Sequence, residues 1–303
     1  MTFQTVAIIG LGLLGGSTGL AVQEFLPGVH TTGYDASPAT RARARERGLV
    51  ATVCETAAEA VRDADLVIFC VPVGAMGAAA REVAGHLKPG ALVSDVGSSK
   101  QTVARALAEA LPGAAIIPAH PVAGTENSGP NAGFAALFGK RWCIITPPED
   151  ADPLLLAALV RFWEALGAHV ELMSPQHHDL VLAVTSHVPH LIAYTIVGTA
   201  SDLEEVTQGE VIKYSAGGFR DFTRIAASDP TMWRDVFLSN RDAVLEILQR
   251  FTEDLTALQR SIRNGEGERL FDHFTRTRAI RRSIIEQGQD DARPDFGRSD
   301  HAG

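Results

Sequence analysis

Cysteine is scarce in this chain: 3 in 303 residues, at Cys54, Cys70 and Cys143. None stands in a CxxC pair, so neither a zinc knuckle nor a redox dithiol is suggested. The scarcity fits a reducing compartment, and a cytoplasmic protein is expected. Positive charge is also short, with 27 Lys+Arg against 36 Asp+Glu and a net charge of −9. That argues against nucleic-acid binding through phosphates. An anionic substrate would need a locally positive pocket. No stretch approaches 18 apolar residues without a charge or a glycine, so no membrane span is expected. The segment Met1-Thr2-Phe3-Gln4 lacks the basic start of a signal peptide. No internal repeat is visible. Hydrophobic content of 46% and charged content of 21% suit a soluble globular protein long enough for two domains.

What is present is an alternation of strand and helix. Residues 5–9 are a short apolar, β-branched run, the signature of a buried parallel strand. Thr31–Tyr34, Leu66–Val71 and Ala91–Val96 read the same way. Alanine-rich stretches of helical composition lie at 39–47, 55–63 and 75–87. The expected fold is an α/β, doubly wound, Rossmann-type domain over 1–148. Beyond Thr146-Pro147-Pro148 strand signals nearly vanish, and an all-helical domain is expected over 149–288. Asp152-Pro153 and Asp229-Pro230 each read as an N-cap followed by a proline at the first helical position. An apolar helix is expected over roughly 175–200. From Asp229 a single long helix with one apolar stripe is expected, ending near Asn264-Gly265. Part of that stripe suits burial against a second subunit. The tail over 289–303 is polar, without periodicity, and reads as disordered.

The first site signal is Gly10-Leu11-Gly12-Leu13-Leu14-Gly15. A lone GxGxxG is weak, but this one follows an expected strand and opens an expected helix. Asp35 closes the next strand about 20 residues past the third glycine, where a ribose partner belongs. Gly10 permits the tight turn, Gly12 lets backbone approach a pyrophosphate, and Gly15 lets helix pack on strand. Leu13, Leu14, Val71 and Pro72 are further candidate cofactor contacts. A carboxylate at 35 repels a 2′-phosphate, so NAD is favoured over NADP, although Arg41 and Arg43 stand near enough to blur the choice.

The second signal is Gly97-Ser98-Ser99-Lys100 and His120, each following an apolar run and so expected at the carboxyl edge of the sheet. Oxidising an alcohol needs a base at the hydroxyl, and a neutral histidine suits that near pH 7. His120 is the candidate base, with Ser98 as its helper. Read without that context, His120 is equally a core histidine bonded to a carbonyl, and Ser98 a helix N-cap. His187 and His190 are three apart on one helical face, with Pro189 bending that helix. A metal pair with His177 and His178 is conceivable, yet no carboxylate ligand cluster accompanies them, and no metal is expected. Gly217-Gly218-Phe219-Arg220-Asp221-Phe222-Thr223-Arg224 offers guanidinium groups for a carboxylate, or surface ion pairs.

Taken together, these segments resemble the prephenate and arogenate dehydrogenases of tyrosine biosynthesis. The matching stretches are GLGLLGGS from Gly10, DVGSSK from Asp95, HPVAGTENSG from His120, SHVPH from Ser186, GGFRDFTRIA from Gly217 and SDPTMWRD from Ser228. The resemblance implies a Rossmann domain and an all-helical dimerisation domain. It implies NAD-dependent oxidation of the ring carbon bearing a hydroxyl, loss of the ring carboxylate as CO2, and aromatisation. It casts His120 as the catalytic acceptor for that hydroxyl, assisted by Ser98, and Arg224 as the carboxylate binder. His187, His190, Thr125 and Gly218 would line the pocket, and Trp233 would reach in from the partner subunit. Arg220, a further candidate for the pocket, stands where a lysine is common in that family. Two rivals share parts of the plan: a β-hydroxyacid dehydrogenase, whose candidate lysine base would be Lys213, and a non-catalytic NAD-binding sensor.

Overall fold

The computed structural model describes residues 3–125, 127–203 and 217–286, which leaves Lys213 and the tail over 289–303 outside the described residues. The chain divides into two compact units, 1–245 and 246–303.

The first unit is organised by a sheet of six parallel strands: β1 Thr5–Ile9, β2 His30–Tyr34, β3 Thr52–Val53, β4 Leu66–Phe69, β5 Leu92–Asp95 and β6 Ala115–Ile116. Their spatial order is β3-β2-β1-β4-β5-β6, which places a topological switch point between β1 and β4. The central strands are buried on both faces, and side chains alternate between two cores. Val6, Ile8, Leu66 and Ile68 face one, and Ala7, Ile9, Val67 and Phe69 face the other. The helices between strands are α1 Leu13–Phe25, α2 Pro38–Arg47, α3 Ala57–Val61, α4 Met76–Glu82 and α5 Lys100–Ala110.

Past β6 the chain leaves this sheet. A second, three-stranded sheet is built from β7 Ala119–Pro121, β8 Trp142–Ile145 and β9 His169–Leu172, in the order β7-β8-β9. β7 runs antiparallel to β8, with His120 opposite Ile144. His120 was expected at the carboxyl edge of the main sheet, with no second sheet foreseen. It sits inside a strand of the second one. β9 was not expected at all: three of its four residues are exposed, so it carries no apolar run. α6 Pro153–Ala165 begins as expected, with Asp152 Oδ1 accepting from the Leu154 N–H at 2.7 Å.

The remaining helices are α7 Pro175–Leu182, α8 Val188–Asp202, α9 Gly217–Thr223, α10 Pro230–Ser239, α11 Arg241–Arg263 and α12 Gly267–Glu286. Two expectations are corrected. The single helix from Asp229 is two helices, broken at Asn240. The expected break at Gly265 is present, with φ +70°, but α12 follows it. Second, the stretch Pro175–Asp202 is long and apolar enough by composition to cross a membrane. It is not continuous α-helix: Ala183–His187 form a π-helical turn just before Pro189, where the ladder loses a donor. Its His178, Asp179 and His187 are buried in polar contacts within the first unit.

Trp163 on α6 is fully buried, edge-on to both Phe138 and Phe162. Trp163→Ala is expected to lower stability by about 3–5 kcal/mol in urea denaturation, the scale for deleting a large core aromatic.

Candidate active site

The glycine turn after β1 forms a cradle. Gly10 has φ +98°, and a Cβ there would lie 2.7 Å from the Cys70 carbonyl oxygen and 3.0 Å from Val71 Cγ1. At Gly15 a Cβ would lie 1.8 Å from the Gly10 oxygen, so only glycine lets α1 pack on the turn. Gly12 is different: nothing lies within 4 Å of a Cβ built there, and as N-cap of α1 it makes no side-chain cap bond. The first-turn N–H groups, at Leu13 and Leu14 among others, thus lie at the positive end of a helix with open space beside Gly12. That arrangement fits a pyrophosphate. Val71 and Pro72 leave β4 beside it.

Asp35 follows β2 and accepts from the Leu11 N–H and the Ser37 N–H, both at 2.9 Å. Its carboxylate is thus held at the glycine turn with lone pairs to spare for a ribose. The arginines that blurred the cofactor choice are committed elsewhere. Arg41 lies over the Tyr34 ring and donates to the Asp35 carbonyl at 2.8 Å and to Glu55. Arg43 donates to Asn131 and pairs with Glu46 at 2.6 Å. The chain after His120 is strapped to this region: Phe134 N–H donates to Ser17 Oγ at 3.1 Å, and Arg47 donates to the Gly133 carbonyl at 3.0 Å.

His120 is 8% exposed and hydrogen-bonded through Nδ1 to His178 Nε2 at 2.9 Å. His178 Nδ1 meets Asp179 Oδ1 at 2.8 Å. The same carboxylate accepts the Lys100 N–H at 2.6 Å and the Gln101 N–H at 3.0 Å, so it caps α5 from a neighbouring helix. Ser99, the N-cap of α5, makes no cap bond of its own and turns its hydroxyl to Ser239 Oγ at 2.6 Å. Beneath His120, Lys100 Nζ is fully buried, paired with Asp95 and donating to the Ala119 carbonyl at 2.7 Å. That lysine fastens the strand bearing His120 to the end of β5, and so brings it to the carboxyl edge of the main sheet.

A second set gathers around Trp233. Its indole stacks on His190 at 3.7 Å between centroids and meets His187 edge-on at 6.1 Å. Both ring partners are in its own chain. His187 is fully buried; its Nδ1 accepts from Asn240 Nδ2 at 3.0 Å, and that amide also donates to the Asp179 carbonyl at 2.8 Å. The break between α10 and α11 therefore exists where Asn240 turns inward. With Nδ1 accepting, the His187 proton sits on Nε2. Neither that N–H nor Trp233 Nε1–H has an acceptor among the described residues.

Burial pushes the His120 imidazole well below its ordinary pKa, helped by the neighbouring His178 and Lys100. Burial likewise takes His187 down to about 4 and lowers His178 and His190. Burial works against the Asp179 carboxylate too, but the bonds from His178, Lys100 and Gln101 outweigh it and hold it below its usual range. The site is a buried cluster of neutral imidazoles beside the Asp179 carboxylate.

Other expected residues are not drawn into this cluster. Ser98 is half-buried in the β5–α5 loop and shows no hydrogen bond among the described residues. Thr125 is exposed, its hydroxyl accepting the Asn127 N–H at 3.2 Å. Gly218 is exposed on α9, and among the described residues Arg220 pairs with its exposed neighbour Asp221 at 3.5 Å. Arg224 is exposed at the start of a short 3₁₀ turn, close enough to His190 to depress its pKa. Sequence reasoning missed Asp179, Asn240 and Lys100, and treated His178 only as a metal candidate. The adjacent imidazole and carboxylate of His178-Asp179 were the available signal.

Two family profiles cover most of the chain: "Prephenate dehydrogenase, nucleotide-binding domain" over residues 18–172 and "Prephenate dehydrogenase, dimerization domain" over 174–276. A cyclohexadienyl dehydrogenase of Zymomonas mobilis is 43% identical over 282 residues, 93% of this chain and 96% of that protein. A prephenate dehydrogenase of Bacillus subtilis is 33% identical, covering 89% of this chain and 73% of its own length. The crystal structure of a prephenate dehydrogenase from A. aeolicus, in complex with hydroxyphenyl propionate and NAD+, superposes with a TM-score of 0.88 at 32% identity. It covers 94% of this chain and 99% of that one.

Two outcomes follow from the geometry. Gly12→Ala is expected to cost no more than about 1 kcal/mol of stability while weakening NAD binding at least about tenfold in calorimetry; Gly15→Ala is expected not to fold. Stability should also fall with acid. His187 binds its proton less readily folded, at about 4 against 6.5 unfolded. The unfolded chain therefore takes up more protons between those values, and stability rises with pH across that window. His187 alone should contribute a loss on the order of 3 kcal/mol between pH 7 and pH 4, read from urea midpoints. A His187→Gln variant should show a shallower slope.

Proposed function

This chain belongs to the prephenate dehydrogenase family, and we propose that it carries out the NAD-dependent oxidative decarboxylation of prephenate, with arogenate as a second substrate, in tyrosine biosynthesis. The observation that carries the reading is His120: a neutral imidazole in a dry site at the carboxyl edge of a Rossmann sheet, with Nδ1 engaged and Nε2 left to meet a hydroxyl. Bound NAD supplies the acceptor for a hydride. As the ring carbon bearing the hydroxyl gives up hydride, His120 Nε2 takes the hydroxyl proton, so a carbonyl forms without an oxocarbenium charge building up. The resulting dienone draws electrons from the ring carboxylate, CO2 leaves, and the ring becomes aromatic. His120 then returns its proton to the phenolate. Ser98 is assigned to the same hydroxyl, and Arg224 to a substrate carboxylate.

Substrate choice is argued from the second set. His187 Nε2–H and Trp233 Nε1–H are buried donors awaiting an acceptor. A keto or carboxylate oxygen satisfies them, whereas an ammonium does not, which favours prephenate. The likeness to a cyclohexadienyl dehydrogenase keeps arogenate as an alternative substrate. The division of labour inferred is 1–148 for the nucleotide and 149–288 for substrate and dimer. Exposed Phe251, Leu255, Ile262, Phe271, Phe274 and Ile280 in the second unit suit a homodimer interface. The cytoplasm, which keeps the three thiols free, is the proposed compartment.

The test is NADH formation at 340 nm with prephenate and with arogenate, each in the presence of NAD or NADP. The expected result is turnover with prephenate and NAD, and CO2 released in equal amount. No turnover with either substrate would overturn the assignment. His120→Asn is expected to lower kcat by roughly 10²–10⁴, and a value within about threefold of wild type would remove it from that role. Arg224→Ala is expected mainly to raise KM through lost carboxylate binding, and sedimentation should give a mass of two 32.3 kDa chains.

A further inference from the structure

We propose that His178 and Asp179 are positioning residues that form one relay with His120. The relay fixes which nitrogen of His120 is bare, and it accepts the borrowed hydroxyl proton while the dienone exists. This deepens the proposed function and rests on it.

Two hydrogen bonds link the three side chains. A carboxylate can only accept, so Asp179 Oδ1, 2.8 Å from His178 Nδ1, places the single proton of neutral His178 on that nitrogen. His178 Nε2 is then a lone pair, and at 2.9 Å it can only accept from His120 Nδ1–H. His120 Nε2 is therefore left without a proton, as a base requires. Reversing any link would reverse the last one.

The register of this chain is in turn fixed by the fold. Asp179 cannot rotate freely, because its two oxygens also accept the Lys100 N–H, the Gln101 N–H and Gln101 Nε2. The other ionisable groups near His120 do not compete. Lys100 Nζ is spent on Asp95 and the Ala119 carbonyl. The Cys143 thiol on β8 has its pKa raised by burial, and His187 is neutral with Nδ1 accepting from Asn240. Asp179 is the anion at the end of the line.

Proton balance gives the relay its second task. The reaction removes a hydride and CO2, and the hydroxyl proton is not consumed: it leaves the hydroxyl and returns to the phenolate. Between those events His120 would hold a positive charge in a dry site. Passing its Nδ1 proton to His178 Nε2 moves that charge next to Asp179, and no bond other than N–H bonds is made or broken. When the phenolate forms, the shift runs backwards.

The test uses two variants and two readouts. In His178→Gln the side-chain amide can still donate to Asp179 and accept from His120, but it cannot pass a proton. In Asp179→Asn the acceptor-only end is lost. Nitrogen-15 histidine NMR of the protein without substrate reads the His120 tautomer directly. Steady-state kinetics reads the relay. The expected result is a proton on His120 Nδ1 in the wild type and in His178→Gln. The latter should lose about tenfold or more in kcat with KM within about twofold. Asp179→Asn should show the proton on His120 Nε2. Two results would overturn the relay: a wild-type proton on Nε2, or a His178→Gln kcat within about twofold of wild type. If Asp179→Asn fails to fold, His178→Gln still decides. Failure of wild-type turnover with prephenate would instead count against the proposed function, since the NMR arm needs no substrate.

Discussion

One buried carboxylate organises the working end of this molecule. Asp179 is 1% exposed and receives the first two N–H groups of α5, the Gln101 amide and the His178 ring. Its backbone carbonyl receives Asn240. Burying an ionised carboxylate is costly, and it is tolerated only when nearly every lone pair is used. Here that requirement ties the start of α5, the first helix of the 175–202 stretch and the break between α10 and α11 to one point. The π-helical turn at Ala183–His187 lies between Asp179 and Pro189, so the irregular backbone is placed where function needs His187 to face Asn240.

The second constraint is dryness. Every imidazole of the site has its affinity for protons reduced by burial, so the cluster is neutral at physiological pH. Neutral rings can serve as acceptors and donors of defined polarity, which charged ones cannot. His120 offers a lone pair, while His187 and Trp233 offer N–H groups. The same burial makes the native state sensitive to acid, since unfolding releases histidines to bind protons. Catalytic competence and acid stability are therefore opposed in this fold.

The cofactor half was legible in the sequence because its chemistry is local. A strand, three glycines and Asp35 are contiguous enough for the strand–turn–helix to be read locally, and β1 and β2 lie where that reading put them, with α1 opening directly from the glycine turn at Leu13. Asp152-Pro153 was legible for the same reason. The catalytic half was legible only in part. His120 stood out, but its residence in a second sheet depends on pairing with β8, which no local pattern announces. Asn240 sits within a helical apolar period, and its break follows from partners 53 and 61 residues away. His178 was weighed only as a metal candidate and Asp179 was passed over, because their partners lie far off in sequence, on β7 and α5. The stacking of Trp233 on His190 joins residues 43 positions apart, which no local pattern announces.

The central claim is that the fold leaves His120 Nε2 unprotonated by fixing protons along Asp179, His178 and His120. Neutron diffraction of the deuterated protein, crystallised near neutral pH, reads those positions without mutation or substrate. The account predicts a deuteron on Nδ1 of both His178 and His120 and none on His120 Nε2. A deuteron on His120 Nε2, with Nδ1 bare, would contradict it.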